Sequence, residues 1–412
     1  ARVAIVGGGP AGLMAAEVLA AVDGLEVAIF DAMPSFGRKF LMAGKGGMNI
    51  THSEPMSAFV GRYGARQTAI APLLEAFGPQ QLREWIGHLG IATFVGSSGR
   101  VFPGEMKAAP LLRAWLHRLR GAGVQFHVRH RWLGWSADGA LRFATPAGEK
   151  LLTFDALVLA LGGGSWARLG SDGAWVPLLA ERGIPLAPLQ PANCGFDVGW
   201  SAHFSERFAG QPVKPVIASV AGRSQRGEFN ITAGGIEGGL VYALSAPLRD
   251  ALASEGRAVL HLDLAPDRTL ARLTADLAHP RGHDSLANHL RRRAGIDGVK
   301  AGLLREFLPI STLTATDRLA AAIKHHAPAQ PHAPSSAHAP RPPASRPHFP
   351  SRGVAPCIRH PMSLAAATPR PAAVRWSRSI VRRLRFVFGA RLLRIFSSNV
   401  NNPTGSCWWI IR

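Results

Sequence analysis

The sequence has almost no cysteine, no long apolar run and, after residue 324, no acid at all. Its three cysteines, Cys194, Cys357 and Cys407, form no C-x-x-C pair and no metal-ligand spacing. That argues against a redox-active dithiol and a cysteine-built metal site, and it fits a reducing cytoplasm. Cys194 reads as a small core residue. No uninterrupted apolar stretch reaches the ~18 residues of a membrane span, so no crossing is expected. No charged n-region and apolar h-region precede the first strand, so no secretory signal is visible. The chain also opens without Met, which suggests a trimmed or incomplete start.

The missing acids decide where the charge lies. The whole chain of 412 residues carries +21. Residues 325–412 hold thirteen arginines and no lysine, aspartate or glutamate, which leaves only +8 on residues 1–324. The first part is therefore an ordinary, mildly basic sequence, and the tail is extreme. Residues 325–371, rich in Pro, Ala, Ser and His, cannot bury enough apolar surface to fold and are expected to be disordered. Residues 380–396 could form a basic apolar helix of the membrane-surface or RNA-binding kind. However, Arg382, Arg383, Arg385, Arg391 and Arg394 scatter around the helical wheel. GC-rich coding DNA read out of frame gives this Arg, Pro, Ala and Ser composition, so the tail is read as a frameshifted C-terminus.

Chemistry begins at the first residues. Arg2-Val3-Ala4-Ile5-Val6 is a strand-type run, Gly7-Gly8-Gly9-Pro10-Ala11-Gly12 follows, and residues 13–21 read as an Ala-rich helix. Residues 26–30 form a second strand, closed by Asp31. Dinucleotides bind this order of elements. Gly7 allows the tight turn, Gly9 lets backbone approach a pyrophosphate, and Gly12 lets helix pack on strand. The helix N-terminus offers free N–H groups and partial positive charge to the phosphates. Asp31, about 20 residues on, can accept a ribose hydroxyl, which favours FAD or NAD over NADP at this site. A glycine turn that only packs a βα unit is the plainer alternative, but it leaves Asp31 unexplained.

Further along, residues 37–51 read as a loop whose Gly44, Gly46 and Gly47 let backbone approach a flat or anionic ligand. In it, Arg38, Lys39 and Lys45 can neutralise phosphate, and Asn49 and Thr51 can hydrogen-bond. A second apolar strand, residues 155–161, runs into Gly162-Gly163-Gly164-Ser165. This is either a second nucleotide turn for NAD(P)H or, on the favoured reading, a turn approaching the first dinucleotide. Its continuation, Trp166-Ala167-Arg168, does not resemble an apolar helix start. Arg100, ahead of a helix at about residues 107–121, can reach phosphate or substrate, or sit on a solvated turn. Residues 227–239, dense in glycine, suit a loop from a second domain folding over the cofactor, with Glu228, Thr232 and Glu237 as polar candidates. His52 reads as incidental. No catalytic residue is assigned and no metal site is expected.

Together, the opening turn, residues 37–51, Gly99-Arg100-Val101-Phe102-Pro103, Ala160-Leu161-Gly162-Gly163 and residues 227–238 resemble, in order, the BaiN-like NAD(P)/FAD-dependent oxidoreductases. Some of these are called aminoacetone oxidase family FAD-binding enzymes. The resemblance covers residues 1 to about 324 and implies an α/β fold. A Rossmann-like FAD-binding domain (1–185) would carry an inserted β-rich domain (186–324) with a small helical subdomain at about 267–298. Residues 325–412 stand apart as a low-complexity basic tail. The family pattern closes with a strand, a Gly-Glu-Met type segment, a Gly-Gly-Tyr turn and an Ala/Gly-rich helix. Here only Pro403-Thr404-Gly405 echoes it. The resemblance implies hydride transfer through flavin N5, with NAD(P)H or oxygen as redox partner and a conjugated double bond in a small molecule as substrate. An amine oxidase-like enzyme, a reductase of an RNA base and an inactive truncated flavoprotein are the alternatives. Substrate and oligomeric state stay open.

Overall fold

The computed structural model describes residues 1–43, 47–329 and 409–410. Their contacts divide at Leu189/Gln190 into two compact units, with Trp409–Ile410 belonging to the first.

The first unit is built on a parallel sheet. Strand β1 (Arg2–Val6) leads through helix α1 (Pro10–Ala20) to β2 (Glu26–Phe30). Three antiparallel strands follow, β3 (Thr51–His52), β4 (Thr93–Val95) and β5 (Arg100–Pro103), in the order β3-β5-β4. After β6 (Gln125–His127) comes a meander of β7 (Arg131–Trp135), β8 (Leu141–Thr145) and β9 (Gly148–Leu152), then β10 (Ala156–Leu159). The parallel strands run in the order β10-β1-β2-β6, so β1 is central, with Ile5 opposite both Ile29 and Val158. Such a sheet is covered on both faces and needs near-continuous apolar strands. Alternation divides them cleanly. Val3, Ile5, Val27, Ile29 and Val158 pack on Leu13, Ala16 and Leu19 of α1 and on Trp115 and Leu119 of the Ala108–Gly121 helix. Ala4, Val6, Ala28, Phe30, Leu157 and Leu159 face Trp132, Leu141 and Phe143 of the meander and Trp175 and Leu179. Glu17 ties the two helices together. It accepts from Trp115 Nε1 at 2.8 Å and pairs with Arg118 at 2.7 Å.

The second unit has an antiparallel sheet. Strands β11 (Phe196–Asp197), β12 (Pro212–Val220), β13 (Arg223–Thr232), β14 (Gly235–Glu237), β15 (Leu260–Asp263) and β16 (His326–Ala329) lie in the order β11-β14-β13-β12-β15-β16. Edge position suits β16, because Pro328 has no N–H for a further neighbour. The helical region is longer than the expected 267–298. After Leu270–Leu277 and Leu286–His289, helices Gly298–Phe307, Ile310–Thr314 and Thr316–Lys324 continue it. Leu303, Leu304, Leu319, Ala320 and Ile323 recur at helical spacing and are buried in this unit's core. The tail thus contributes β16 to this sheet, and a two-residue strand, β17 (Trp409–Ile410), pairs in parallel with β10. The expectations for residues 330–408 and 411–412 fall outside the described residues. No helix among the described residues is long and apolar enough to cross a membrane.

The tightest point is the turn after β1. Gly7 has φ +107°, and a Cβ there would stand 2.1 Å from the Ala160 carbonyl oxygen. Gly7→Ala is expected to destabilise the chain by at least about 3 kcal/mol, combining left-handed strain with a backbone clash. Urea unfolding followed by tryptophan fluorescence checks this; an unchanged midpoint would show that the turn can relax.

Candidate dinucleotide-binding site

The site lies where β1, β2 and β10 end. Gly7 N–H donates to the Phe30 carbonyl at 2.8 Å and Ala160 N–H to the Val6 carbonyl at 2.8 Å, which fixes the turn between its neighbours. Gly9 is the N-cap of α1 and Pro10 its first residue. Pro10 suits this position because its missing N–H would have no intrahelical partner, and no side chain caps the helix. The first-turn amides of Ala11 and Gly12 likewise have no carbonyl to bond within the helix. At Gly12 a Cβ would stand 1.9 Å from the Gly7 oxygen, whereas at Gly9 it would meet nothing within 4 Å. Gly12 therefore serves packing, and Gly9 borders open space.

Asp31 is tied to this turn. Its Oδ2 accepts from Gly8 N–H at 2.7 Å and its Oδ1 from Met33 N–H at 2.8 Å. Burial raises its pKa above 3.8, and the two amides together with Arg38 and Arg131 hold it down only in part. Each carboxylate oxygen keeps a lone pair for a further donor. Sequence reading overlooked Gly8, whose amide makes this contact; a Cβ there would strike the Phe36 ring at 2.0 Å.

Residues 38–43 depart from expectation. Arg38–Ala43 is helix α2, not loop. The six residues contain no glycine, and Leu41 N–H bonds to the carbonyl of Gly37, which itself bonds through its N–H to the Gly8 carbonyl at 2.9 Å. The helix brings Lys39 to the Gly162–Ser165 segment, where Nζ donates to Ser165 Oγ at 2.6 Å across 126 residues. Lys39 is exposed as a residue, but partial burial of its ammonium lowers its pKa. Arg38 Nε is buried with no partner among the described residues. Gly162 (φ +72°) and Gly163 form the turn after β10. The stretch after it is a single 3-10 turn, Ala167–Leu169.

The other candidates sit on other elements. Gly47 (φ +98°) packs against Met106, and exposed Asn49 donates to the Thr51 carbonyl at 3.1 Å. Gly44 and Gly46, with Lys45, are outside the described residues. Arg100 is exposed on β5, opposite His52. His52 pins a loop: Nε2 lies 3.0 Å from the Ser98 carbonyl and Nδ1 accepts from Glu54 N–H. Residues 227–239 are not a loop. They lie in β13, β14 and the start of a helix in the second unit, with Phe229, Ile231 and Ile236 buried. Gly235 is there for strand contact, since a Cβ would meet the Phe196 oxygen at 2.0 Å. Among the described residues no group of His, Cys, Asp and Glu is placed to hold a metal ion.

An uncapped helix N-terminus, an open glycine and a carboxylate with spare lone pairs converge at the carboxyl ends of β1 and β2. These features fit a dinucleotide. Comparison with known proteins agrees. A family model described as the HI0933-like protein Rossmann domain matches residues 1–244, and one described as the HI0933-like protein barrel and H2TH domain matches residues 190–330. The 3-dehydro-bile acid delta(4,6)-reductase of Clostridium scindens is 30% identical over 273 residues, 65% of each chain. The match thus spans just under two thirds of that relative. Similar solved structures include THI4 of Thermovibrio ammonificans (19% identity, 59% of this chain and 78% of that one, TM-score 0.30). Another is the 3-ketosteroid-delta4-(5alpha)-dehydrogenase of Rhodococcus jostii RHA1 (14% identity, 63% and 65%, TM-score 0.39).

Asp31 makes stability depend on pH. Its folded pKa is raised, so folding favours the protonated form. Its contribution is present in full below the ordinary value of 3.8 and is lost as pH rises through the folded value. Relative to Asp31→Asn, which does not titrate, the wild-type chain is expected to lose stability as pH rises from about 4 to 7. Urea unfolding of both proteins across that range checks it; a flat difference would contradict it.

Proposed function

This chain belongs to the HI0933-like family, BaiN-like flavoproteins with a Rossmann domain and a barrel and H2TH domain, and from that premise we propose that it is an FAD-dependent oxidoreductase. The observation that carries the reading is Gly9, open at the uncapped start of α1, with Asp31 fastened to the neighbouring Gly8 amide. In this proposal the amides of Ala11 and Gly12 and the partial positive charge of the helix bind the pyrophosphate. Arg38 and Lys39 balance its charge, Asp31 accepts from a ribose hydroxyl, and Gly162, Gly163, Gly47 and Asn49 line the remaining path. When bound, FAD supplies hydride transfer through N5, with NAD(P)H as the electron source. The protein's part is to hold, orient and shield. The substrate in this reading is a small molecule with a conjugated carbon–carbon double bond in a ring system, supported by the reductase relative. The cytoplasmic setting rests on the sparse cysteines.

A second reading, a chain with the nucleotide half of the site but no working flavin pocket, is favoured by the family matches, which reach residues 244 and 330.

The purified full chain is expected to carry yellow flavin absorbance that NADH or NADPH bleaches without oxygen and that a conjugated cyclic enone restores. Colourless protein that takes up no added FAD would favour the second reading. Rapid oxygen uptake with amines would favour an amine oxidase. Gly9→Ala gives an independent check. With open space around it, the substitution is expected to cost no more than about 1 kcal/mol of folding stability as a poorer N-cap. The same methyl would stand in the cofactor's path and is expected to weaken FAD at least about tenfold in a fluorescence titration. Equal affinity would refute the placement of the pyrophosphate at Gly9.

A further inference from the structure

Beside the Gly162–Gly163 turn a buried hydroxyl has no partner among the described residues. Ser171 is 7% exposed, and its Oγ makes no hydrogen bond among the described residues. A buried polar group is normally satisfied, and an exception calls for a cause.

The position is not a loose one. Trp166 N–H donates to the Ser171 carbonyl at 3.0 Å, and Ser171 N–H returns a bond to the Trp166 carbonyl at 3.1 Å. Gly170, at φ +90°, leans on Met33, where a Cβ would come 2.7 Å from Met33 Cγ. Met33 is in turn one of the two amides that bind Asp31. On the other side, Asp172 accepts from Arg131 at 2.9 Å and from Ala174 N–H at 3.1 Å. The backbone therefore holds Ser171 firmly between the Asp31 corner and the Gly162–Gly163 turn. A Cβ on Gly162 or Gly163 would lie 3.8 or 3.9 Å from Ser171 Oγ. Both are glycine, so the space in front of the hydroxyl stays clear. Ser165, three residues past Gly162, receives the Lys39 ammonium.

We propose that Ser171 is a cofactor-binding residue, its hydroxyl donating to an oxygen of the dinucleotide's sugar–phosphate chain as that chain passes the Gly162–Gly163 turn. An oxygen acceptor suits the place, because the Lys39 ammonium bound at Ser165 favours electron-rich atoms at this turn. The dinucleotide thus supplies an acceptor that the described residues do not. The inference rests on the reading of the site as an FAD site.

The test compares the full-length wild type with Ser171→Ala and Ser171→Cys in two measurements. In an FAD fluorescence titration, S171A is expected to weaken binding about two- to tenfold, the worth of one neutral hydrogen bond, with S171C in between. In thermal unfolding of the FAD-free protein, S171A is expected to match or exceed wild type, by on the order of 2 °C, because an unpaired buried hydroxyl is removed. Equal FAD affinity in S171A and wild type would overturn the proposal and assign the hydroxyl to an internal water. A lower unfolding temperature for FAD-free S171A would also overturn it, by showing that the hydroxyl supports the fold itself. Failure of the wild-type chain to bind FAD would remove the FAD reading and this inference together. Failure of the variants alone to respond removes only the inference.

Discussion

The first unit depends on a place where no Cβ can stand. At the end of β1 the Gly7 oxygen occupies the position a Gly12 Cβ would need, and the Ala160 oxygen occupies that of Gly7. This double contact draws α1 down onto β1 and sets β10 against the same turn. Asp31 and the Gly162–Gly163 turn then fall at the same carboxyl end of the sheet because β2 and β10 flank β1 in register. A side chain at either glycine would separate layers whose packing begins within one residue of it.

The electrostatics of this end of the sheet follow from that geometry. A helix start with unfilled amides is weakly positive, and the nearby ammonium of Lys39 and guanidinium of Arg38 add to it. Against them stands one half-buried carboxylate, kept ionisable by two backbone amides while burial works against its charge. This end thus has separate zones, one for anionic phosphate and one for hydroxyl donors. A dinucleotide carries both kinds of group in a fixed order.

The β1–α1–β2 unit was legible in the sequence because its signals are local: apolar runs, a glycine turn and an acid at the expected interval. The helix Ala108–Gly121 was legible for the same reason, through its apolar spacing. Residues 38–43 were misread as loop because neighbouring glycines outweighed six residues with no helix breaker. Residues 227–239 were misread because glycine density suggests ligand contact, whereas Gly235 serves close strand approach, which depends on a partner some 40 positions away. The helices after residue 298 were left out of the helical subdomain because the resemblance, not their own periodicity, set its boundary. Gly8 stood inside the glycine run with nothing to single it out, and Ser171 carried no sequence signal. What sets them apart is an amide bound to Asp31 in one case and, in the other, a hydroxyl without a partner among the described residues, and both are properties of assembled neighbours.

The hydrogen bond between Lys39 and Ser165 also bears on the order of folding. It closes a loop of 126 residues, and Arg2 N–H meets the Asp155 carboxylate across 153. Contacts this far apart in sequence cost chain entropy before they return any stabilisation, so they form late. Strand β1, helix α1 and strand β2 are contiguous and can meet early, but the third wall comes only with β10 and the turn beyond it. A nascent chain of fifty residues therefore carries the whole glycine fingerprint and only part of a binding site. On the proposed reading, retention of FAD would report that the chain has folded through residue 171, which would make the ligand a checkpoint on topology as well as a reagent.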